Sequence, residues 1–321
     1  MWDLLIDPLV PGAQRWHSGS MCGRYASFRE AQALADAFDV EEITDAAREL
    51  PASYNVAPTE QVRIVVDRVP KAQRPHTSST SSPGADTTGA GSSGADTTGG
   101  GSPVTGSSGP STSGDTPAGP AAAGATAAPA APAATARREL HLARWGLVPP
   151  WARDLSIGAR MFNAREDSLA TKRSFAPSLR ARRCVVVADG YYEWLKEEVP
   201  GQAKPHRTPF YIHRTDSAPL AFAGLYSWWP DPDRPKGDPQ RWVLSTTIVT
   251  TQATGGLEKI HHREPVVLGD DATGAWLDPS ITASDDALEV LTEPGPAMSW
   301  YEVSSRVGSV RNNDASLIDP V

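Results

Sequence analysis

Short apolar runs separated by turn residues are the dominant pattern along this chain. The run at 183–188 is apolar after its first residue, and Gln61 to Val69 alternates loosely with β-branched residues, so each predicts a strand. Ala and Phe at helical spacing predict a short helix over 28–39. Further strands are predicted at 191–195, 209–214, 221–228, 241–251 and 265–268, and peripheral helices at 271–277 and 285–291.

The order of these elements predicts the fold class. Strands follow one another without a regular helix between them, which argues against a doubly wound parallel sheet. We therefore predict an α+β fold, a single domain with a largely antiparallel, barrel-like β core and peripheral helices. The segment 54–59 is predicted to be a turn, because Pro58 biases Ala57 away from helix.

Two segments do not share this pattern. From 71 to 136 the composition narrows to Ser, Thr, Gly, Ala and Pro, and 92–99 nearly repeats 82–89. Such a stretch buries too little apolar surface to offset chain entropy, so we predict a disordered insertion within one domain spanning 21–321. Residues 1–20 lack the basic start of a signal peptide, and we expect either a mis-called start codon ahead of Met21 or a leader removed by processing.

Charge and cysteine content restrict the class of protein. The formal net charge of −8 argues against a non-specific polyanion binder. Between Arg160 and Arg183, however, seven cations stand against two acidic residues, which indicates either a local phosphate-binding face or a solvated basic loop. Two cysteines provide no disulfide framework and no apolar run is long enough to span a membrane, so we expect a cytoplasmic protein.

The stretch Met21-Cys22-Gly23-Arg24 carries the first candidate chemistry. If translation starts at Met21 and that methionine is removed, Cys22 becomes the first residue and carries both a thiol and a free α-amine. Their ordinary pKa values are similar, about 8, so both can be nucleophilic near neutral pH. A 1,2-aminothiol condenses with an aldehyde and closes a thiazolidine ring. The alternative is an ordinary buried thiol in a first strand, which is also our expectation for Cys184.

Six motifs in a fixed order resemble one family. The three most informative are Cys22-Gly23-Arg24-Tyr25, Ala188-Asp189-Gly190-Tyr191-Tyr192-Glu193-Trp194 and Ile260-His261-His262-Arg263-Glu264-Pro265. Between them lie Tyr54-Asn55-Val56-Ala57-Pro58, Trp145-Gly146-Leu147-Val148-Pro149 and Asn163-Ala164-Arg165-Glu166. The set is similar to the SOS response-associated peptidase (SRAP) family, the abasic-site processing proteins, from Met21 to the C-terminal segment apart from the insertion.

The resemblance implies a protein of the DNA damage response that binds single-stranded DNA and bonds its N-terminal cysteine covalently to an abasic site. It implies no cofactor and no metal, and we expect a monomer that becomes nucleoid-associated on DNA. The implied catalytic residues are Cys22, Asn55, Glu193 and His261. The implied DNA contacts are Arg24, Trp145, Asn163, Arg165, Thr250 and Arg263.

The residue types suit these roles. His261 titrates in the range needed to protonate a sugar ring oxygen, and Glu193 is expected to have a pKa raised by desolvation and to move protons at the amine. Asn55 can orient Cys22 through hydrogen bonds without titrating. The family pattern places Asp where this chain has His262, and Glu264 is an unexpected acid beside a DNA groove. The imine intermediate would also permit β-elimination, a lyase activity.

Two further functions remain open on the residues alone. One is a cysteine peptidase that removes its own leader, with Cys22 as thiolate, His261 as base and Asn55 as the orienting residue. The other is a non-catalytic single-strand binder that uses arginine and aromatic contacts. Several of these side chains also have ordinary structural alternatives: Asn55 in an Asx-turn, Trp145 in the core and Arg24 in an ion pair.

Overall fold

The computed structural model describes residues 23–69 and 136–321. This part of the chain contains thirteen strands and five α-helices. The strands are β1 Tyr25–Ser27, β2 Glu42–Ile43, β3 Ser53–Val56, β4 Gln61–Arg68, β5 Arg137–Trp145, β6 Asn163–Arg165, β7 Arg183–Ala188, β8 Gly190–Glu197, β9 His206–Arg214, β10 Leu220–Pro230, β11 Trp242–Gln252, β12 Arg263–Pro265 and β13 Met298–Glu302. The helices are α1 Ala31–Ala37, α2 Asp45–Glu49, α3 Ala176–Ala181, α4 Asp270–Leu277 and α5 Ser284–Val290.

Five of the strands close into a barrel. β11, β10, β7, β4 and β5 are hydrogen-bonded in that order through antiparallel pairs. β5 then returns to β11 in parallel, with Ser245 opposite Arg144 and Thr246 opposite Trp145. Closure removes the unpaired edges that these strands would present in an open sheet. The predicted single-domain α+β fold with a largely antiparallel, barrel-like core is confirmed.

After its first residue, Arg183, strand β7 is apolar, because both of its faces are buried. Successive side chains on a strand point to opposite faces. Cys184 and Val186 belong to the cluster that fills the barrel. Val185 and Val187 belong to the outer cluster, where they pack with helix residues such as Trp276 of α4. The barrel wall therefore supports the outer helices as well as the inner core.

A second sheet, in the order β13-β9-β8-β1-β3, packs against the barrel. The rings of Tyr25 in β1 and Tyr191 in β8 meet Phe222 of the barrel strand β10, with ring centroids 6.1 and 5.9 Å apart. Because β1 lies between β8 and β3, the residues that precede β1 are brought beside the Glu193 motif. These residues directly follow Cys22, so the sheet order determines where the cysteine motif enters the fold.

Three element boundaries differ from the predictions. The segment 54–59 is not all turn: its first half belongs to β3, which pairs with β1, and the turn starts at Ala57. Helix α1 starts later than predicted because the backbone amides of Phe28 and Arg29 donate to the Asp189 carboxylate instead. The strand predicted at 265–268 lies earlier, as β12.

The predictions for residues 1–20, for Cys22 and for 71–135 of the insertion lie outside the described residues. The described strands on either side of the insertion are neighbours in the barrel, with Arg68 of β4 opposite Arg137 of β5. The insertion therefore connects two adjacent antiparallel strands. Among the described helices, none combines the length and the hydropathy that crossing a bilayer requires.

Candidate active site

A cavity of about 330 Å³ brings three of the sequence motifs together. We call it the cationic cavity; its lining residues are Gly23, Arg24, Glu193, Trp194, Lys196, Arg207, His261 and Gly308. They come from the segment before β1, from β8 and β9, from the loop before β12 and from the C-terminal segment. Gly23 is the covalent neighbour of Cys22. The first described residue of the cysteine motif thus lines the same cavity as Glu193 and His261.

Glu193 is the only carboxyl among the described residues that line the cationic cavity. It lies in β8 opposite Phe210 of β9, and only 4% of its surface is exposed. The strand alternation puts Glu193 on the same face as Tyr191, which packs on the barrel. A carboxyl held this deeply can exchange a proton with a ligand in the cavity while bulk water is kept away.

His261 is also buried, with 8% of its surface exposed. Its Nδ1 lies 3.0 Å from the carbonyl oxygen of Arg263 and 3.2 Å from the backbone nitrogen of that residue. Only one of these contacts can be a hydrogen bond at a time; when the carbonyl is the partner, the proton is on Nδ1. In that tautomer Nε2 keeps a lone pair and can accept a proton.

The charge state of His261 is set by burial and by its neighbours. Burial lowers its pKa below the ordinary value, and the Arg263 carbonyl opposes this effect by accepting from the ring. The positive charges of His262, Lys196 and Arg263 lower the pKa further. His261 is therefore neutral at pH 7 in the free protein, and a negative charge placed in the cavity would favour its protonation.

The two departures from the family pattern have separate environments. The exposed His262 ring lies 4.4 Å from the His261 ring, centroid to centroid, so it is a direct neighbour of the candidate acid. Glu264 instead accepts hydrogen bonds from the backbone nitrogen and the hydroxyl of Thr254, both 3.2 Å away. It lines a different cavity, of about 510 Å³, together with Trp300. Glu264 therefore does not line the cationic cavity, and its place relative to bound DNA stays a prediction.

Asn55 is held by hydrogen bonds to Arg24 and to the C-terminal segment. Its Oδ1 accepts from Arg24 Nη1 at 2.8 Å, while its Nδ2 lies 3.2, 3.0 and 2.8 Å from the carbonyl oxygens of Val307, Ser309 and Asn312. Asn55 is 3% exposed and is not among the lining residues of the cationic cavity. Its amide holds the C-terminal segment in place, and that segment supplies the lining residue Gly308.

Comparison with known proteins identifies the family. The family model for SOS response associated peptidases matches residues 21–310. The chain belongs to the SOS response associated peptidase family.

Relatives within this family carry informative names. "Abasic site processing protein YoqW" of Bacillus subtilis is 40% identical over 178 residues, which cover 55% of this chain and 74% of the relative. "Abasic site processing protein YedK" of Escherichia coli is 36% identical over 180 residues, covering 55% of this chain and 73% of the relative. "Abasic site processing protein HMCES" of Pongo abelii is 32% identical over 214 residues, covering 59% of each.

A solved structure supports the family fold. A protein from Bordetella bronchiseptica matches 88% of this chain and 100% of its own length with a TM-score of 0.54 and 20% sequence identity. At that identity the likeness concerns the fold alone.

Two of the DNA contacts expected from the SRAP resemblance lie in the interior. Trp145 is fully buried, and its indole nitrogen donates to the carbonyl of Phe162 at 2.9 Å. Thr250 is also fully buried, and its hydroxyl accepts from Arg263 Nη2 at 3.0 Å. Neither side chain can touch DNA without moving, because other side chains cover it. The exposed tryptophan of the 145–151 segment is Trp151, 45% exposed, with the Arg173 guanidinium 5.1 Å from its ring centroid.

Four expected contacts remain. Arg24 lines the cationic cavity, and the other three lie on β6 and β12, which flank β11 on opposite edges. Asn163 and Arg165 of β6 pair with Ile248 and Thr250. Arg165 is exposed and forms an ion pair with Asp167 at 2.5 Å. Arg263 is half-buried and donates to both the carbonyl and the hydroxyl of Thr250. These three residues remain predicted contacts, and the positive charge of Arg165 also lowers the pKa of His262.

The basic stretch between Arg160 and Arg183 does not form one phosphate-binding face. Arg183 is 6% exposed and donates to the carbonyls of Trp276, Leu179 and Asp278, so it belongs to the interior. The sequence reasoning also missed Lys196 and Arg207, because only the strand register shows that they meet. Within the described chain, no three His, Cys, Asp or Glu side chains cluster in a way that could hold a metal ion.

Proposed function

We propose that this protein processes abasic sites in single-stranded DNA by bonding Cys22 to the abasic sugar. The proposal rests mainly on one observation: the residue next to Cys22 lines a cavity with a buried carboxyl, a buried imidazole and three cations. Relatives of this family are named abasic site processing proteins. A cavity lined by Arg24, Lys196 and Arg207 is suited to the phosphates of a DNA strand.

The reaction needs an amine and a thiol at one carbon. The open-chain abasic sugar presents an aldehyde at C1′, and a single strand requires no duplex opening to expose it. The α-amine of Cys22 adds to C1′, and loss of water gives an imine. The thiolate then adds to the same carbon, the imine nitrogen takes up one proton, and the thiazolidine closes. The overall reaction converts one aldehyde and one aminothiol into one thiazolidine ring and one molecule of water.

Glu193 and His261 divide the proton transfers. Protonated His261 would protonate the sugar ring oxygen as the ring opens, and a bound phosphate would favour that protonated form. Glu193 would move protons at the amine while water leaves. The imine also acidifies the C2′ hydrogen, which permits β-elimination of the 3′ phosphate. Thiazolidine closure would suppress this lyase reaction by consuming the imine.

The principal test is covalent trapping. A protein that starts at Met21, with removal of the methionine verified by mass, is incubated with abasic single-stranded DNA and run on a denaturing gel. We expect a stable adduct, its loss in Cys22→Ala, and in Cys22→Ser an imine that survives only after borohydride reduction. Absence of an adduct in the wild type, or a stable adduct in Cys22→Ala, would overturn the proposal.

Cys184 provides a matched control for the thiol. It is fully buried in the barrel, burial raises its pKa to about 12, and its sulfur lies 3.3 Å from the Thr246 hydroxyl. Cys184→Ala should therefore form the adduct at the wild-type rate. Glu193→Gln should bind DNA normally but react about 10² to 10⁴ times more slowly, the range for loss of a positioned acid–base group.

A further inference from the structure

Two cations stand directly opposite each other on neighbouring strands of the second sheet. The register of β8 and β9 pairs Lys196 with Arg207, and both side chains are exposed. Directly opposed side chains on an antiparallel pair have Cβ atoms about 4.5–5.5 Å apart, and like charges at that spacing are destabilising. The arrangement therefore weakens the sheet unless an anion lies between the two side chains.

The protein itself supplies no such anion within the described residues. Neither Lys196 nor Arg207 forms an ion pair with any carboxylate in that part of the chain, unlike Arg165, Arg214 and Arg306. The next residue, Glu197, lies opposite His206, one position further along the two strands, and does not line the cationic cavity. The two positive charges remain available to a ligand.

These charges face the candidate reaction centre. Lys196 and Arg207 both line the cationic cavity with His261 and Arg24. The positive charge of Lys196 contributes to lowering the pKa of both His261 and His262. An anion bound to the pair would offset this charge and favour protonation of His261, the form that can act as an acid. Binding and chemistry would therefore be coupled through the same side chains.

We propose that Lys196 and Arg207 together bind one backbone phosphate of the single strand at the edge of the cationic cavity. This inference rests on the proposed function, because it takes DNA as the ligand. Phosphate fits the site because the oxygens of one phosphate group can accept hydrogen bonds from an ammonium and a guanidinium at the same time. The contact holds the strand without reading its sequence.

The test measures binding separately from the covalent step. Single-stranded DNA with a tetrahydrofuran abasic analogue has no aldehyde, so fluorescence anisotropy reports binding alone. The 321-residue chain and the Met21-start form are both titrated over a range of salt. For wild type and for K196Q/R207Q, the quantity compared is the slope of log K against log salt, which changes by about 0.7 per phosphate contact with a single strand.

We expect the double variant to bind roughly 10-fold or more weakly and to lose about 0.7 from the slope. Lys204→Gln is the matched control, since Lys204 is an exposed cation in the loop between the same two strands and does not line the cavity. It should keep the wild-type slope. An unchanged slope in K196Q/R207Q, or an equal loss in Lys204→Gln, would overturn the inference. The conservative pair K196R/R207K keeps both charges and should keep the slope.

Two further measurements identify the ligand atom and the coupling. Replacing single phosphates by neutral methylphosphonates should weaken wild-type binding at one position, and that penalty should vanish in K196Q/R207Q. In the wild type, DNA should raise the pKa of His261 followed by NMR, and in the double variant this rise should be smaller. If each methylphosphonate weakened the binding of K196Q/R207Q as much as it weakens wild-type binding, the assignment of a phosphate to Lys196 and Arg207 would be wrong. Failure of Cys22 to form an adduct would leave these binding results unaffected.

Discussion

Two groups of cations in this protein differ in what surrounds them. Arg63 and Arg183 are buried, and each donates to three backbone carbonyls. Most of these carbonyls belong to the ends of α2, α3 and α4, where helices leave acceptors unsatisfied. Lys196 and Arg207 are exposed in the cationic cavity and form no ion pair within the described chain. The first group holds helices to the barrel, and the second is available to a ligand.

The comparison shows why charge counts along the sequence are poor guides to binding. The stretch from Arg160 to Arg183 is the most basic part of the described chain, yet its last member is an interior residue. Lys196 and Arg207 are separated by the turn of a hairpin and stand out in no local window. A cation is a candidate for binding when its surroundings leave its charge uncompensated, which only the fold reveals.

Removing the interior guanidinium should have the largest effect. Arg183→Met keeps the aliphatic stem but leaves the carbonyls of Trp276, Leu179 and Asp278 without their donor. We expect the free energy of unfolding in urea to fall by roughly 3–5 kcal/mol, since several buried acceptors lose a charged partner together. Arg207→Gln should change stability by less than about 0.5 kcal/mol, the usual range for an exposed site. Equal losses in the two variants would contradict the division into two groups.

Loss of the Asn55 amide should have a smaller and more local effect. Asn55→Ala removes the donor to three carbonyls of the C-terminal segment and the acceptor of Arg24. We expect stability to fall by about 2–3 kcal/mol and the segment around Val307 to become sensitive to protease. Ser309→Ala is the control, because Asn55 contacts only its backbone. Wild-type protease resistance in Asn55→Ala would show that other contacts hold this segment.

Much of the fold could be predicted from the sequence, and the reason is the two-residue period of the strands. The apolar run of β7 and the barrel-like antiparallel core follow from patterns within single segments. Closure of the barrel does not, because it depends on a parallel pairing of Thr246 with Trp145 between segments a hundred residues apart. The short β2, α2 and β13 were missed because two to five residues carry too little periodicity.

The site was predictable where a motif carries its own chemistry. Glu193 and His261 were expected together, and the structure brings them to one cavity beside Gly23. The role of Asn55 in orienting Cys22 stays a prediction; the three carbonyls that its Nδ2 contacts lie more than 250 positions away and could not be predicted from the local sequence. Trp145 was expected to contact DNA, with a place in the core as the alternative. The sequence does not distinguish it from Trp151, and only packing decides which ring is covered.

The smallest expected effect is a pH dependence of stability that comes from the buried imidazole of His261. The pKa of His261 is lower in the folded protein than its ordinary value of 6.5, mainly through burial. The unfolded chain therefore binds the proton more readily, and stability is lost as the pH falls from about 6.5 through the lower folded value.

We expect His261→Gln to lose less stability than wild type between pH 7.5 and 5 in urea titrations. Identical curves for His261→Gln and wild type would mean that burial of this ring does not affect its protonation, and the assignment of a neutral His261 in the free cavity would be wrong.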